Sequence, residues 1–481
     1  MKKIIISRLF LYKYRFIIGY ILLSLALVGT IFFLPLITPG GISEPEMESV
    51  ITSNNTNLDS ILNGDIIDLP YHALQHLSIH FFGLNTYAIK LPSIIIGAIL
   101  AFLLILLLNR WFKNNVALIA SIITVLSTPF LYLAGSGTPL IMLVFWPTLL
   151  LWLGSKIQGV KKPNSIYCFI FAFLLLFSLL TPHLIYLAAF IFIFVLLQPH
   201  LRHTLKTLPR IPFVIIALII LAGLGAIGYS LSHNPSAITT LLLTEDFSID
   251  KFFANLAAAV PPLFSSTGNV ESTFLSPLIG LPILALAFTG LISTAKGFFA
   301  SRNSIASCLI VFTALLAGLD PRSAILIILP LAILIAHGTR YILERWYGIF
   351  PENPYARIFA LVPLSILLGV MIFSDVSHFI FGYRYNPIVA SQFNNDLALI
   401  DEFVEENTTL LVPKNTTEYD FYKILEDAKH ITISNSAPTS GKIASLGKWE
   451  KSADLQITRI ITSPKSEESD RIYLYTVKSK E

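Results

Sequence analysis

Between residues 38 and 86 lie six carboxylates and no Lys or Arg: Glu44, Glu46, Glu48, Asp59, Asp65 and Asp68. A pair such as Glu44 and Glu46 can act as general base toward a hydroxyl, or hold a cation. The same residues have a purely structural use. In Ser43-Glu44-Pro45-Glu46, Ser43 stands at a helix N-cap position, Pro45 in the first turn, and Glu46 where a capping box needs it. His72, His76 and His80 recur every fourth residue and share one helix face. The outer two would sit about 12 Å apart at 1.5 Å per residue, too far for one ion, so a polar stripe is the expectation. Asp68, just before Pro70, reads as the N-cap of that helix. Lys90 and Arg322 lie at the ends of apolar runs, where a cation can grip a phosphate or snorkel to headgroups. His183 stands between two apolar runs as a further cavity candidate. Cys168 and Cys308 both fall inside apolar runs, which argues against a disulfide framework or a cysteine metal site.

These residues are held by a chain that is 54% hydrophobic and 13% charged over 481 residues. Soluble domains carry about 25% charged residues, so the composition is that of a membrane protein. About eleven apolar runs approach the roughly 20 residues a crossing helix needs: 16–37, 87–108, 116–134, 138–154, 165–180, 183–197, 212–229, 274–293, 304–319, 323–337 and 358–374. The first is too long for a signal-peptide core, and no small-residue cleavage site follows it, so it reads as a retained span. With the N-terminus inside, eighteen Lys and Arg fall in inner segments, and only Lys90, Lys251 and Arg322 at outer positions. The expected layout is a membrane domain over 1–375, with outer loops 38–86 and 230–273. A soluble tail over 376–481 follows on the outer side. In the second loop, Phe252, Phe253 and Leu256 have the spacing of a helix lying along the interface. In the tail, helical spacing of Phe393, Leu397, Ile400 and Val404 precedes a strand at 409–412. A helix over 417–428 and strands at 430–434, 455–461 and 472–477 complete a small α/β domain.

Residues from Asp68 to about Lys156 carry a family likeness. Pro70-Tyr71, then Phe82-Gly83, then Lys90-Leu91-Pro92-Ser93 resemble the first-loop helix and second-span entry of family 39 and aminoarabinose-transferase-like glycosyltransferases of the GT-C fold. Pro321-Arg322, followed by an apolar run ending Leu329-Pro330, resembles that family's late outer span end. The likeness covers about residues 15–345. It implies an all-α polytopic protein of about eleven helices that transfers a sugar from a polyprenyl-phosphate carrier to an envelope glycan, lipid or protein. The reaction would take place on the outer face of the cytoplasmic membrane, in the inverting mode. The family's first-loop carboxylate pair matches the segment holding Glu44 and Glu46. Glu46 is then the expected base and Glu44 its alternate, with Lys90 and Arg322 on the lipid phosphate. Asp68, His72 and His183 are expected near the cavity, and a divalent cation is a possible cofactor. One departure stands out. Where the family carries Arg, and often Asp, after its third span, this chain has Ala134-Gly-Ser-Gly-Thr-Pro139. Glu245 or Asp246 could supply the second carboxylate. The alternative reading is a non-catalytic scaffold of the same shape. A transporter or flippase is disfavoured by the absence of internal repeats and of ionisable residues in mid-span.

Overall fold

The computed structural model describes residues 10–158, 165–199, 202–203, 210–242, 248–265, 273–295, 301–349, 354–405, 407–414, 416–429, 431–438, 441–449, 455–462 and 471–477. Glu245, Asp246 and Glu271 lie outside them. Among the described residues, six helices are long and apolar enough to cross a membrane: Thr86–Trp111, Pro139–Ile157, Arg210–His233, Arg302–Leu319, Pro321–Ile349 and Leu361–Tyr385. A seventh crossing arises if helices Asn114–Val125 and Thr128–Gly135, bent by 62° at Leu126 and Ser127, count as one. Ser127 and Pro129 begin a new helix there and stop the first from continuing. Four of the expected spans are shorter apolar helices of 10–17 residues. Length and composition therefore give six or seven candidate crossings where eleven are expected.

Helix Ile328–Ile349 is the packing centre. Every residue from Ile328 to Thr339 is buried, so it is apolar all round where a surface helix would show a stripe. It crosses helix Leu281–Ala295 at backbone contact. A Cβ added at Gly290 would meet Leu334 O at 2.0 Å, and one at Gly338 would meet Leu286 O at 2.2 Å. Small residues at such crossings let helices approach where lipid supplies no hydrophobic drive. Gly338→Val should therefore lower stability by about 1–3 kcal/mol or more, read as a fall in thermal midpoint in detergent. Helix Arg210–His233 is the opposite case: its apolar side chains stay exposed, as on a lipid-facing helix.

The first loop folds as helices Glu44–Asn55, Leu58–Leu62 and Leu69–Phe82. The last turns Tyr71, His72, Gln75 and Ser78 inward and leaves Leu74, Leu77, Phe81 and Phe82 exposed. Its apolar face is thus the outer one, as on a helix lying in the bilayer interface. In the second loop, helix Ile249–Ala259 leaves Ile249 and Phe253 exposed, while Asn255 donates to the Gly318 and Leu319 carbonyls at 3.2 and 3.1 Å. Those bonds cap the neighbouring helix.

Helix Pro354–Tyr385 runs on past residue 376, and the strands of a small C-terminal sheet domain follow it. Two short strands pair antiparallel, β1 (Ile42–Ser43) in the first loop and β2 (Phe393–Asn394) in the tail. The domain's own strands are β3 (Thr408–Leu411), β4 (Thr432–Ser434), β5 (Lys442–Leu446), β6 (Leu455–Ile461) and β7 (Ile472–Val477), in the order β4-β3-β5-β7-β6. β3 is parallel to β4 and β5, and the remaining pairs are antiparallel. Helices Asp396–Phe403 and Thr417–Lys429 complete the domain. Its core is shared with the first loop: Ile42, Met47 and Val50 pack with Leu397, Ile400, Phe421, Tyr422 and Leu425.

Candidate active site

Two polar clusters lie at the first-loop end of the bundle. The first is closed. The Glu46 carboxylate is 1% exposed and accepts from Ser43 N–H at 2.8 Å and Ser43 Oγ at 3.1 Å, the Glu46 half of the expected capping box. Its other oxygen accepts from Gly137 N–H at 2.6 Å and lies 3.7 Å from Lys90 Nζ. Lys90 is fully buried, donates to Gly41 O at 2.7 Å, and sits 5.8 Å from the Phe393 ring centre. One ion pair thus ties together the first loop, the start of helix Thr86–Trp111, the Gly137 turn and the tail. Glu46 is saturated by internal donors, and Lys90 turns inward instead of snorkelling. Neither is open to a substrate in this arrangement. The Ala134–Pro139 stretch that lacks Arg and Asp contributes backbone: Gly137 N–H goes to Glu46, and Gly137 O accepts from Gln75 Nε2 at 2.9 Å. Glu44 is exposed and accepts from Thr417 Oγ1 of the tail at 3.2 Å.

The second cluster is unsatisfied. Asp68 and His183 are both buried, both stand at helix N-cap positions, and both take left-handed backbone angles, φ 49° and 71°. Such angles cost energy in residues with a Cβ and collect at functional sites. Asp68 N–H donates to Leu180 O at 2.8 Å, which joins the first-loop helix to the turn carrying Thr181 and His183. Asp68 occupies the cap position but makes no side-chain cap bond, and its Oδ1 has no hydrogen-bond partner. Burial pushes this carboxyl up to about 7, and the facing Thr181 hydroxyl opposes the rise. His183 Nε2 lies 3.7 Å from Asp320 Oδ2, while Nδ1 has no partner. Burial holds the imidazole below its usual value, against the pull of Asp320. Asp320 Oδ1 accepts from Arg322 N–H at 2.9 Å and starts the 3-10 turn Pro321–Ile327. The Arg322 guanidinium is exposed and, among the described residues, has no ion-pair partner.

The three first-loop histidines separate. His72 is buried, with Nδ1 2.8 Å from Ser53 Oγ, and burial lowers its pKa to about 4. His76 Nδ1 is 3.0 Å from Ser53 O, and His80 is exposed. His72 is thus a packing residue between two loop helices, while His76 and His80 stay exposed. Among the described residues, no three His, Cys, Asp or Glu side chains could hold one metal ion.

Sequence reasoning missed Asp320 and Asp375. Asp320 was legible as the residue before Pro321-Arg322. Asp375 was lost because the apolar run ends one residue earlier. It is 2% exposed, its Oδ2 has no partner, and it faces Gly280 at the start of helix Leu281–Ala295, where a carboxylate suits the helix dipole.

Comparison with known proteins places this geometry in a fold. ArnT from Cupriavidus metallidurans, bound to undecaprenyl phosphate, aligns over 96% of this chain and 98% of its own, with TM-score 0.51 and 12% identity. The fold is GT-C. An Archaeoglobus fulgidus oligosaccharyltransferase tethered with an acceptor peptide containing the NVT sequon shares it, with TM-score 0.53, 11% identity and 89% of this chain aligned. So does AglB from the same organism, in complex with an inhibitory peptide and a dolichol-phosphate, with TM-score 0.51, 14% identity and 88% aligned. This GT-C chain covers 64% and 65% of those two archaeal proteins, less than two thirds of each. A family model for dolichyl-phosphate-mannose-protein mannosyltransferase matches residues 70–226. No curated protein sequence matches.

Proposed function

We propose that this GT-C protein is a membrane glycosyltransferase. It moves a sugar from a polyprenyl-phosphate carrier to an envelope glycan, lipid or protein on the outer face of the cytoplasmic membrane. In this reading the N-terminus is cytoplasmic and the soluble domain extracytoplasmic. The observation that carries it is the unsatisfied cluster at one end of a GT-C bundle: a buried carboxyl with a free oxygen and a pKa of about 7, bonded through its backbone to the Leu180–His183 turn, with His183 in turn facing the Asp320 turn that carries the exposed Arg322. The family-model match and the lipid phosphate held by ArnT support the substrate class.

In the inverting reaction, an acceptor hydroxyl attacks the anomeric carbon. The bond to the phosphate oxygen breaks, and the phosphate leaves with the electron pair. The hydroxyl proton passes to Asp68, whose raised pKa suits a base working near neutral pH. Arg322 holds the departing phosphate through paired N–H contacts. Asp320 fixes the turn that presents Arg322 and orients His183. The described residues form no three-ligand metal set, so no step is routed through a cation. Glu46 and Lys90, which the sequence suggests as base and phosphate contact, become the positioning pair behind the site, because both are buried and bonded internally. Glu44, exposed at the loop edge, stays available on the acceptor side.

A scaffold without activity is the second reading, favoured by the internal use of Glu46 and Lys90. Reconstituted protein, given a panel of polyprenyl-phosphate sugars and assayed for released polyprenyl phosphate, separates the two. Transfer is expected from the wild type. Arg322→Gln should lower it roughly 10–100-fold, the loss of one or two charge-assisted bonds. No release with any donor, from protein that folds and inserts, would leave the scaffold.

A further inference from the structure

At the opposite end of the bundle is a cavity of about 170 Å³. Its wall is apolar: Trp111, Pro147, Phe171, Phe190 and Phe194 line it, with Arg302 at its polar end. An engineered apolar cavity of about 150 Å³ stays dry and takes up benzene, so this one suits hydrocarbon better than water. The guanidinium is not neutralised. One Nη donates to Trp111 O at 2.6 Å, and the group lies 4.5 Å from the Phe112 ring centre. Its Nε is buried without a hydrogen-bond partner. Among the described residues no carboxylate pairs with it, and the nearby Glu344 is bonded to Arg340 at 2.7 Å. Arg110 and Lys156 stand in the last turns of their helices and Lys113 precedes the next at this same end, with Arg340 and Arg345 in the latter half of helix Ile328–Ile349.

We propose that this cavity is a binding site for an anionic glycerophospholipid, one acyl chain entering between the aromatic rings and the phosphate meeting Arg302. Charge decides against a zwitterionic occupant, because an unpaired cation among further cations favours a net negative headgroup. Distance decides against the sugar donor. Arg302 opens helix Ser301–Leu319 and Arg322 lies just past its far end, so the two guanidinium-bearing residues are about 27 Å apart along a 1.5 Å rise per residue. One phosphate cannot serve both. The site is independent of the transferase reading.

Native mass spectrometry of the full chain, delipidated in detergent and titrated with phosphatidylglycerol or phosphatidylcholine, tests it. Tighter binding of phosphatidylglycerol is expected. Arg302→Gln should weaken that binding roughly tenfold or more and leave phosphatidylcholine unchanged. Gly154→Leu is the second variant: Gly154 lines the cavity and its Cβ direction meets only Phe171 Cε2, at 3.9 Å. It should fold, fill the cavity and weaken both lipids, and it carries the test if Arg302→Gln does not fold. Undecaprenyl phosphate should not compete. The proposal is overturned if both variants bind phosphatidylglycerol as the wild type does, or if undecaprenyl phosphate displaces it.

Discussion

Asp68→Asn should abolish sugar transfer and at the same time make the protein more resistant to heat at pH 8. Burial raises the Asp68 carboxyl from 3.8 to about 7 in the folded chain. A carboxyl raised on folding binds its proton more tightly in the native state, so it opposes folding once ionised. The opposition is absent below about 3.8, grows as pH rises through that window, and is complete above about 7. Across that window the cost amounts to roughly 4 kcal/mol at most. Asn does not ionise and escapes this cost. Asn also tolerates the left-handed backbone held at this position better than most residues. The same substitution removes the group that accepts the hydroxyl proton, which is worth about 10²–10⁴-fold in rate. Thermal midpoints measured from pH 5 to pH 8.5 should show the variant gaining on the wild type as pH rises. Wild-type kcat/KM should climb to a plateau above about pH 7. An Asp68→Asn protein that transfers sugar normally would remove Asp68 from the reaction.

The second large effect concerns Glu46 and Lys90. Both are buried, and breaking a buried pair from one side costs about 3–5 kcal/mol, because the other charge stays behind. Lys90→Met is expected to cut the yield of monodisperse protein and lower its thermal midpoint. Glu46→Gln should do less damage, since an amide oxygen can still accept from Ser43 or Gly137. The double variant should recover much of what Lys90→Met loses. Activity per folded molecule should fall far less than for Asp68→Asn. The opposite pattern, a Glu46→Gln protein that folds normally and is inactive, would return the role of base to Glu46.

The membrane class and the first-loop helices were legible in the sequence because apolar length, Lys and Arg placement and the Ser43-Glu46 cap are local signals. The short strands β6 and β7 were legible from dense β-branched and aromatic residues. β5 was not: Ile443, Ala444 and Ser445 are all buried between neighbours, so the strand shows no alternation and sits in a Ser- and Gly-rich stretch. The roles of Glu46 and Lys90 were hidden for a different reason. Their partners, Gly41, Gly137 and Phe393, act through backbone atoms or from the distant tail, and a single sequence gives no sign of such pairing. Asp68 and His183 were found by type and position, but their left-handed backbone and unpaired atoms come only from the turn of 180–183 folding against the first loop.

The measurement that bears most directly on the function is a structure of the protein in lipid nanodiscs with undecaprenyl phosphate added. Phosphate density against the Arg322 guanidinium, with Asp68 facing it across an opening at the first-loop end, is the expected result. A phosphate bound elsewhere, or an Asp68–Arg322 end closed to lipid with the ligand present, would contradict the glycosyltransferase reading.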